Sequence, residues 1–122
     1  MTLVEFLNAR LDEDEAVVKE AIAALERDPD ALIDDGLGWY ANNADSSGDS
    51  IVAVGPRRAA AEVEAKRRIV ALHAPVDGNW GEVFCEECER YGDTNKPSPC
   101  PTLRLLALPY ADHPDYNEEW KP

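Results

Sequence analysis

Three cysteines and a histidine, all within the stretch from His73 to Cys100, are the residues whose types and spacing could do chemistry in this chain. Cys85-Glu-Glu-Cys88 offers two thiols from one tight loop, Cys100 adds a third, and His73 stands twelve residues ahead of the pair. Three thiolates and an imidazole are the donor set of a tetrahedral structural zinc site, and Cys-x2-Cys is the usual way to supply two of the ligands. The constellation predicts one Zn²⁺ held by His73, Cys85, Cys88 and Cys100. His113, next to Pro114, is the alternative fourth ligand; a leucine-rich helix after Cys100 would carry it away, which favours His73. Unpaired buried thiols, or a Cys85–Cys88 disulfide, compete with the metal.

Other cysteine and zinc chemistries fit less well. A catalytic zinc keeps an open coordination position and needs a general base. The deaminase pattern H-x-E…P-C-x-x-C fails, because Ala74-Pro75 follow His73 and Phe84 precedes Cys85. No HExxH, P-loop, GxSxG or dinucleotide-binding fingerprint occurs. A thioredoxin-like role asks for Cys-x-x-Cys after a strand and at a helix start, with a lowered thiol pKa. Glu86 and Glu87 between the thiols work the other way. They are expected to face outward, leaving no base beside the metal and no enzymatic activity.

The elements that must position these residues are legible in part. Thr2-Leu3-Val4-Glu5 reads as a capping box, opening a helix over 2–27. Leu3, Leu7, Leu11, Val18, Ile22 and Leu25 form its apolar stripe. Asp14 falls on that stripe and, if buried, needs a cationic partner; Arg67 is the first choice, then Lys66 or Arg104. Asp28-Pro29-Asp30 stops the helix. Turn chemistry then dominates 31–50, and Ile51-Val52-Ala53-Val54 is β-prone, so a hairpin is expected between residues near 37–42 and 50–54. Pro56 suits the first turn of a second helix, 56–73, antiparallel to the first, with Ala59, Ala60, Val63, Val70 and His73 on one face. The cysteine stretch is rich in glycine and proline and poor in apolar residues, so a metal substitutes for a core there. A short helix from Thr102 to Leu108 follows, ended by Pro109, and then an extended tail with Trp120 as its anchor. The expectation is an α+β fold in one domain over 1–122, with helix and hairpin in 1–55 and helix, zinc-stapled loop, C-terminal helix and tail in 56–122.

Charge bounds the partners. Twelve Lys+Arg against 25 Asp+Glu give a net charge of −13. Such a field repels nucleic acid and anionic membranes, whose binding needs cationic counter-charge. Lys66-Arg67-Arg68, the one basic run, is expected to form an intramolecular salt-bridge face rather than a nucleic-acid site. No run approaches the roughly 20 apolar residues of a membrane span. The N-terminus lacks signal-peptide features, and three cysteines cannot all pair within one chain, so a cytoplasmic setting is expected.

The blocks Phe6-Leu-Asn-Ala-Arg-Leu-Asp-Glu-Asp-Glu15, Glu62-Val-Glu-Ala-Lys-Arg-Arg-Ile-Val70 and Cys100-Pro-Thr-Leu-Arg-Leu-Leu-Ala-Leu-Pro-Tyr-Ala-Asp-His-Pro-Asp-Tyr116 resemble those of an uncharacterised domain-of-unknown-function family of actinobacteria and their bacteriophages. The resemblance implies a small intracellular protein, often associated with phages or mobile elements, and its His and Cys positions match His73, Cys85, Cys88 and Cys100. Together these observations lead to a zinc-stabilised protein-interaction module, a phage or prophage accessory factor acting on a host protein. The alternatives are an acidic DNA mimic that occupies a nucleic-acid-binding protein and, third, a zinc-dependent hydrolase.

Overall fold

A computed structural model describes residues 1–28, 54–78, 80–90 and 98–122. In order, α1 spans Leu3–Arg27, α2 Pro56–His73, β1 Val76–Asp77, β2 Val83–Phe84, α3 Glu86–Arg90 and α4 Pro101–Ala107, followed by 3-10 turns at Leu108–Tyr110 and Glu118–Trp120. The class is α+β. The strands pair antiparallel with Val76 opposite Phe84 and Asp77 opposite Val83, and this hairpin lies inside the cysteine stretch. The hairpin expected near 37–42 and 50–54 falls outside the described residues.

The helix ends follow from local sequence. At the start of α1 the Thr2 amide donates to Glu5 Oε2 at 2.8 Å and the Glu5 amide donates to Thr2 Oγ1 at 3.1 Å. This reciprocal cap satisfies two amides that the first turn leaves without partners. Pro56 opens α2, and Ala74-Pro75 follow its last residue, His73.

The described residues fall into two compact units. One comprises Met1–Asp12 with Ala65–Pro122, the other Glu13–Glu64. In the second, Val63 is buried while Val18, Ile22 and Leu25 are half-buried, and the helix surfaces carry the i,i+4 pairs Glu15–Lys19 at 3.4 Å and Arg58–Glu62 at 3.3 Å.

The first unit has a core that joins the two ends of the chain. Leu3, Phe6, Leu7 and Leu11 of α1 are buried with Val70, Leu103, Ala107 and Trp120. Phe6 is the hub, its ring centre lying 5.1 Å from Trp120, 5.7 Å from His113, 5.9 Å from Tyr116 and 6.4 Å from Tyr110. Most of these contacts are edge-to-face, the arrangement that the ring quadrupole favours. Arg10 is buried as well, its guanidinium carbon 5.2 Å from the Phe6 centroid.

Two expectations about the C-terminal part change. Pro109 does not end the last helix abruptly but sits within the 3-10 turn Leu108–Tyr110. The tail is not extended. Backbone bonds from Ala111 to Leu108, His113 to Tyr110 and Tyr116 to His113 wind it into successive tight turns, because its aromatic residues must all reach Phe6. Trp120 anchors it as expected, only 7% exposed. Elsewhere in the unit, Arg67 pairs with Asp12 at 2.7 Å. Asp12 is 70% exposed, so this pair is of the solvated kind that contributes about 0–1 kcal/mol. Asp14, two residues further on, is half-buried. Arg104 is engaged with backbone carbonyls, as described below.

Candidate metal centre

Each of the four candidate ligands reaches the centre from a different local structure. His73 is the last residue of α2. Cys85 follows β2 directly, and Cys88 lies in α3, one turn later. Cys100 is the N-cap of α4, with extended backbone at φ −69° and ψ 162°, and Pro101 fills the first helical position. Its thiol makes no capping bond, which leaves the sulfur for the cluster. The hairpin that returns the chain from His73 to Cys85 turns at Gly81, whose φ of +82° is a conformation that side chains with a Cβ rarely adopt. Inside that turn the Gly78 amide donates to the Glu82 carbonyl at 2.7 Å, and the Trp80 amide donates to Glu82 Oε2 at 2.9 Å.

The donor atoms converge. One atom from each of His73, Cys85, Cys88 and Cys100 lies within 4.8 Å of all the others. The inward-facing nitrogen of His73 is Nδ1, at 3.4 Å from Cys85 Sγ and 3.6 Å from both Cys88 Sγ and Cys100 Sγ. A tetrahedral zinc with metal–sulfur bonds of about 2.3 Å and metal–nitrogen bonds of about 2.0–2.1 Å has nitrogen–sulfur edges of about 3.5 Å. The three observed separations match that edge, so these residues fit a four-coordinate ion and could bind one. Cys85 and Cys100 are buried, while His73 and Cys88 are half-buried.

All three cysteines are free thiols in this structure. Removal from water, and then the neighbouring Cys85 and Cys100 thiols, push the Cys88 thiol from 9.0 up to about 12. Crowded thiols without a cation hold their protons; a divalent ion compensates the gathered negative charge and takes their place. Cys85 and Cys88 do lie after a strand and at a helix start, the placement that thioredoxin-like chemistry requires. A third thiol and an imidazole converge on them, a donor set that two-thiol redox chemistry does not use and a metal site does. Of the two intervening carboxylates, Glu86 is exposed and Glu87 half-buried.

His113 belongs elsewhere. Its Nε2 bonds to the Arg10 guanidinium, and its Nδ1 accepts from the Asp115 amide at 3.1 Å, so both ring nitrogens are engaged away from the cysteines.

The whole chain, residues 1–122, matches one family. It belongs to DUF6221, a family of unknown function. No curated protein and no solved structure matches the chain. What this DUF6221 member can do must therefore be argued from its own site. Two features there had no clear signal in the sequence. Arg104, half-buried on α4, donates to the Pro99 carbonyl at 2.8 Å and to the Glu119 carbonyl at 2.6 Å, tying the residue before Cys100 to the tail. Beside the ligands lies a cavity of about 480 Å³, with Ala74, Pro75, Val83 and Pro99 among the residues that line it. Among the described residues no helix is long and apolar enough to cross a membrane.

Proposed function

We propose that His73, Cys85, Cys88 and Cys100 hold one zinc ion in a closed structural site, and that the protein works by binding another protein while the metal does no chemistry. The observation that carries the zinc assignment is the match of three nitrogen–sulfur separations, 3.4, 3.6 and 3.6 Å, to the edges of a tetrahedral site. Sulfur-rich tetrahedral sites suit zinc, and four protein ligands leave no position for a reacting water. Loss of the metal would leave α2, the hairpin and α4 without their common tether, since metal binding and folding are coupled in such sites. The protein-binding half of the proposal draws on the charge of −13 and on apolar surface beside the metal. The narrower role, a phage or prophage accessory factor acting on a host protein in the cytoplasm, rests on the family resemblance alone.

Native mass spectrometry of the purified chain should show one zinc, and X-ray absorption should show three sulfur neighbours and one nitrogen. A coordinated water in place of one protein ligand would bring back the hydrolase. Protein-binding is tested by purification from lysate with and without a chelator, where a co-purifying protein should be lost on chelation. Salt-sensitive binding to DNA or RNA at physiological ionic strength would overturn it.

A further inference from the structure

The cavity beside the ligands is open to a partner, and its chemistry says which kind. It encloses about 480 Å³, within the size range of sites that take small ligands or single anchoring side chains. Leu3, Val4, Val83, Pro99 and Trp120 supply much of its wall, together with the Ala74-Pro75 turn. Three walls are continuations of metal ligands: Ala74 follows His73, Val83 lies two residues before Cys85, and Pro99 precedes Cys100. Arg104 joins two of these surfaces through its bonds to the Pro99 and Glu119 carbonyls. The groove therefore owes its shape to the metal centre on one side and to Arg104 on the other.

Its surroundings are acidic. Glu5, Glu82 and Glu119, each the immediate sequence neighbour of a lining residue, are exposed, and so is Asp77 on the hairpin. The nearest lysine in sequence, Lys121, is held by Glu118 at 2.5 Å, which offsets its charge. On the same hairpin as Val83, Trp80 is 92% exposed, an aromatic face able to take a cation. We infer that this groove docks a basic segment of a partner protein, one apolar side chain entering the cavity while flanking lysines or arginines meet the acidic rim. The inference rests on the protein-interaction reading above and names the surface and partner chemistry for it. Opposite charge around an apolar centre is the arrangement that steers encounter and then holds the anchor.

The test uses the zinc-loaded full chain, isotope-labelled for NMR, and two synthetic heptapeptides. One alternates lysine with leucine and has a central tryptophan; the other carries glutamate in place of each lysine. The expected result is shifts of the Val4, Ala74 and Val83 amides and the Trp120 indole with the basic peptide. The acidic peptide should bind at least tenfold more weakly. Val83→Glu, at a position 50% exposed, should weaken the basic peptide at least tenfold while one zinc per chain is retained. Leu105→Glu, on exposed α4 surface outside the groove, should change nothing, and chelation should abolish the groove shifts. Basic-peptide shifts centred on Leu105 and Leu108 would overturn the groove while leaving the protein-interaction reading standing. Equal binding of both peptides would overturn the charge argument, and no binding of either would count against both readings. A concentration-dependent dimer abolished by Val83→Glu would assign the groove to a second copy and likewise overturn the proposal.

Discussion

His73 and His113 differ in what surrounds their ring nitrogens, and that difference assigns their roles. His73 turns Nδ1 toward three sulfurs, whereas His113 accepts from the Asp115 amide and bonds to Arg10 across 103 positions of sequence. His73→Ala should lower metal affinity sharply, measured by competition with a colorimetric chelator. His113→Ala should keep one metal per chain yet lose about 1–3 kcal/mol in chemical denaturation, because a buried guanidinium loses one of its partners and Phe6 loses an edge contact. Metal binding should also be proton-linked. With the Cys88 thiol raised to about 12, that thiol is protonated at neutral pH, so loading must expel its proton. The sign follows: affinity rises with pH and falls on acidification, and at least the Cys88 proton leaves with each ion bound. Calorimetry in buffers of different ionisation enthalpy measures how many protons leave. The convergence of His73, Cys85, Cys88 and Cys100 was legible in the sequence because cysteine and histidine have few other reasons to recur at such spacing. The burial of Arg10 was not legible, since His113 lies 103 positions away and an arginine four residues after Phe6 is no signal of burial by itself.

Local rules placed the elements where both partners of a contact are close in sequence. The Thr2–Glu5 cap, the Pro56 start and the turn at Ala74-Pro75 each involve neighbours three or fewer positions apart, and α1 and α2 came out as read. The tail was misread for the opposite reason. Its turn residues would allow an extended path, but the pull of Phe6 on Tyr110, His113, Tyr116 and Trp120 winds it up. The Arg67–Asp12 pair was not read from the sequence, because Asp12 lies on the exposed side of α1, where many residues could take an ion pair. Arg104 shows what one long-range contact can do at this scale. Arg104→Met keeps the stem that packs on α4 but removes the donors to the Pro99 and Glu119 carbonyls. The expected cost is about 1–3 kcal/mol, with faster amide exchange over residues 117–121 and an unchanged metal count. Protection equal to that of the unaltered protein would show the tail to be held by Trp120 alone.

For the molecule as a whole, an ion held by the cluster would stand in for apolar core that the stretch between α2 and α4 lacks. At a free zinc concentration a thousand times the dissociation constant, binding contributes about 4 kcal/mol to the folded state. Chelation should lower the thermal midpoint measured by calorimetry, and added zinc should restore it. An unchanged midpoint would mean that the packed aromatic cluster suffices. On the proposed reading the acidic surface and the metal would have separate tasks, one setting which partners approach and the other fixing the shape they meet.

The ligand positions also have a polymer-statistical consequence. Eleven residues separate His73 from Cys85, and eleven separate Cys88 from Cys100, so a bound ion pins the backbone into two loops of equal contour, a figure of eight crossed at the metal. The entropy of closing such loops grows only with the logarithm of their length, and doubling one costs about 0.6 kcal/mol. Added residues at the Gly81 end of the first loop are therefore inexpensive, whereas a single residue inserted between Cys85 and Cys88 changes the crossing itself. Family members that differ in length should differ in the loops and keep the crossing.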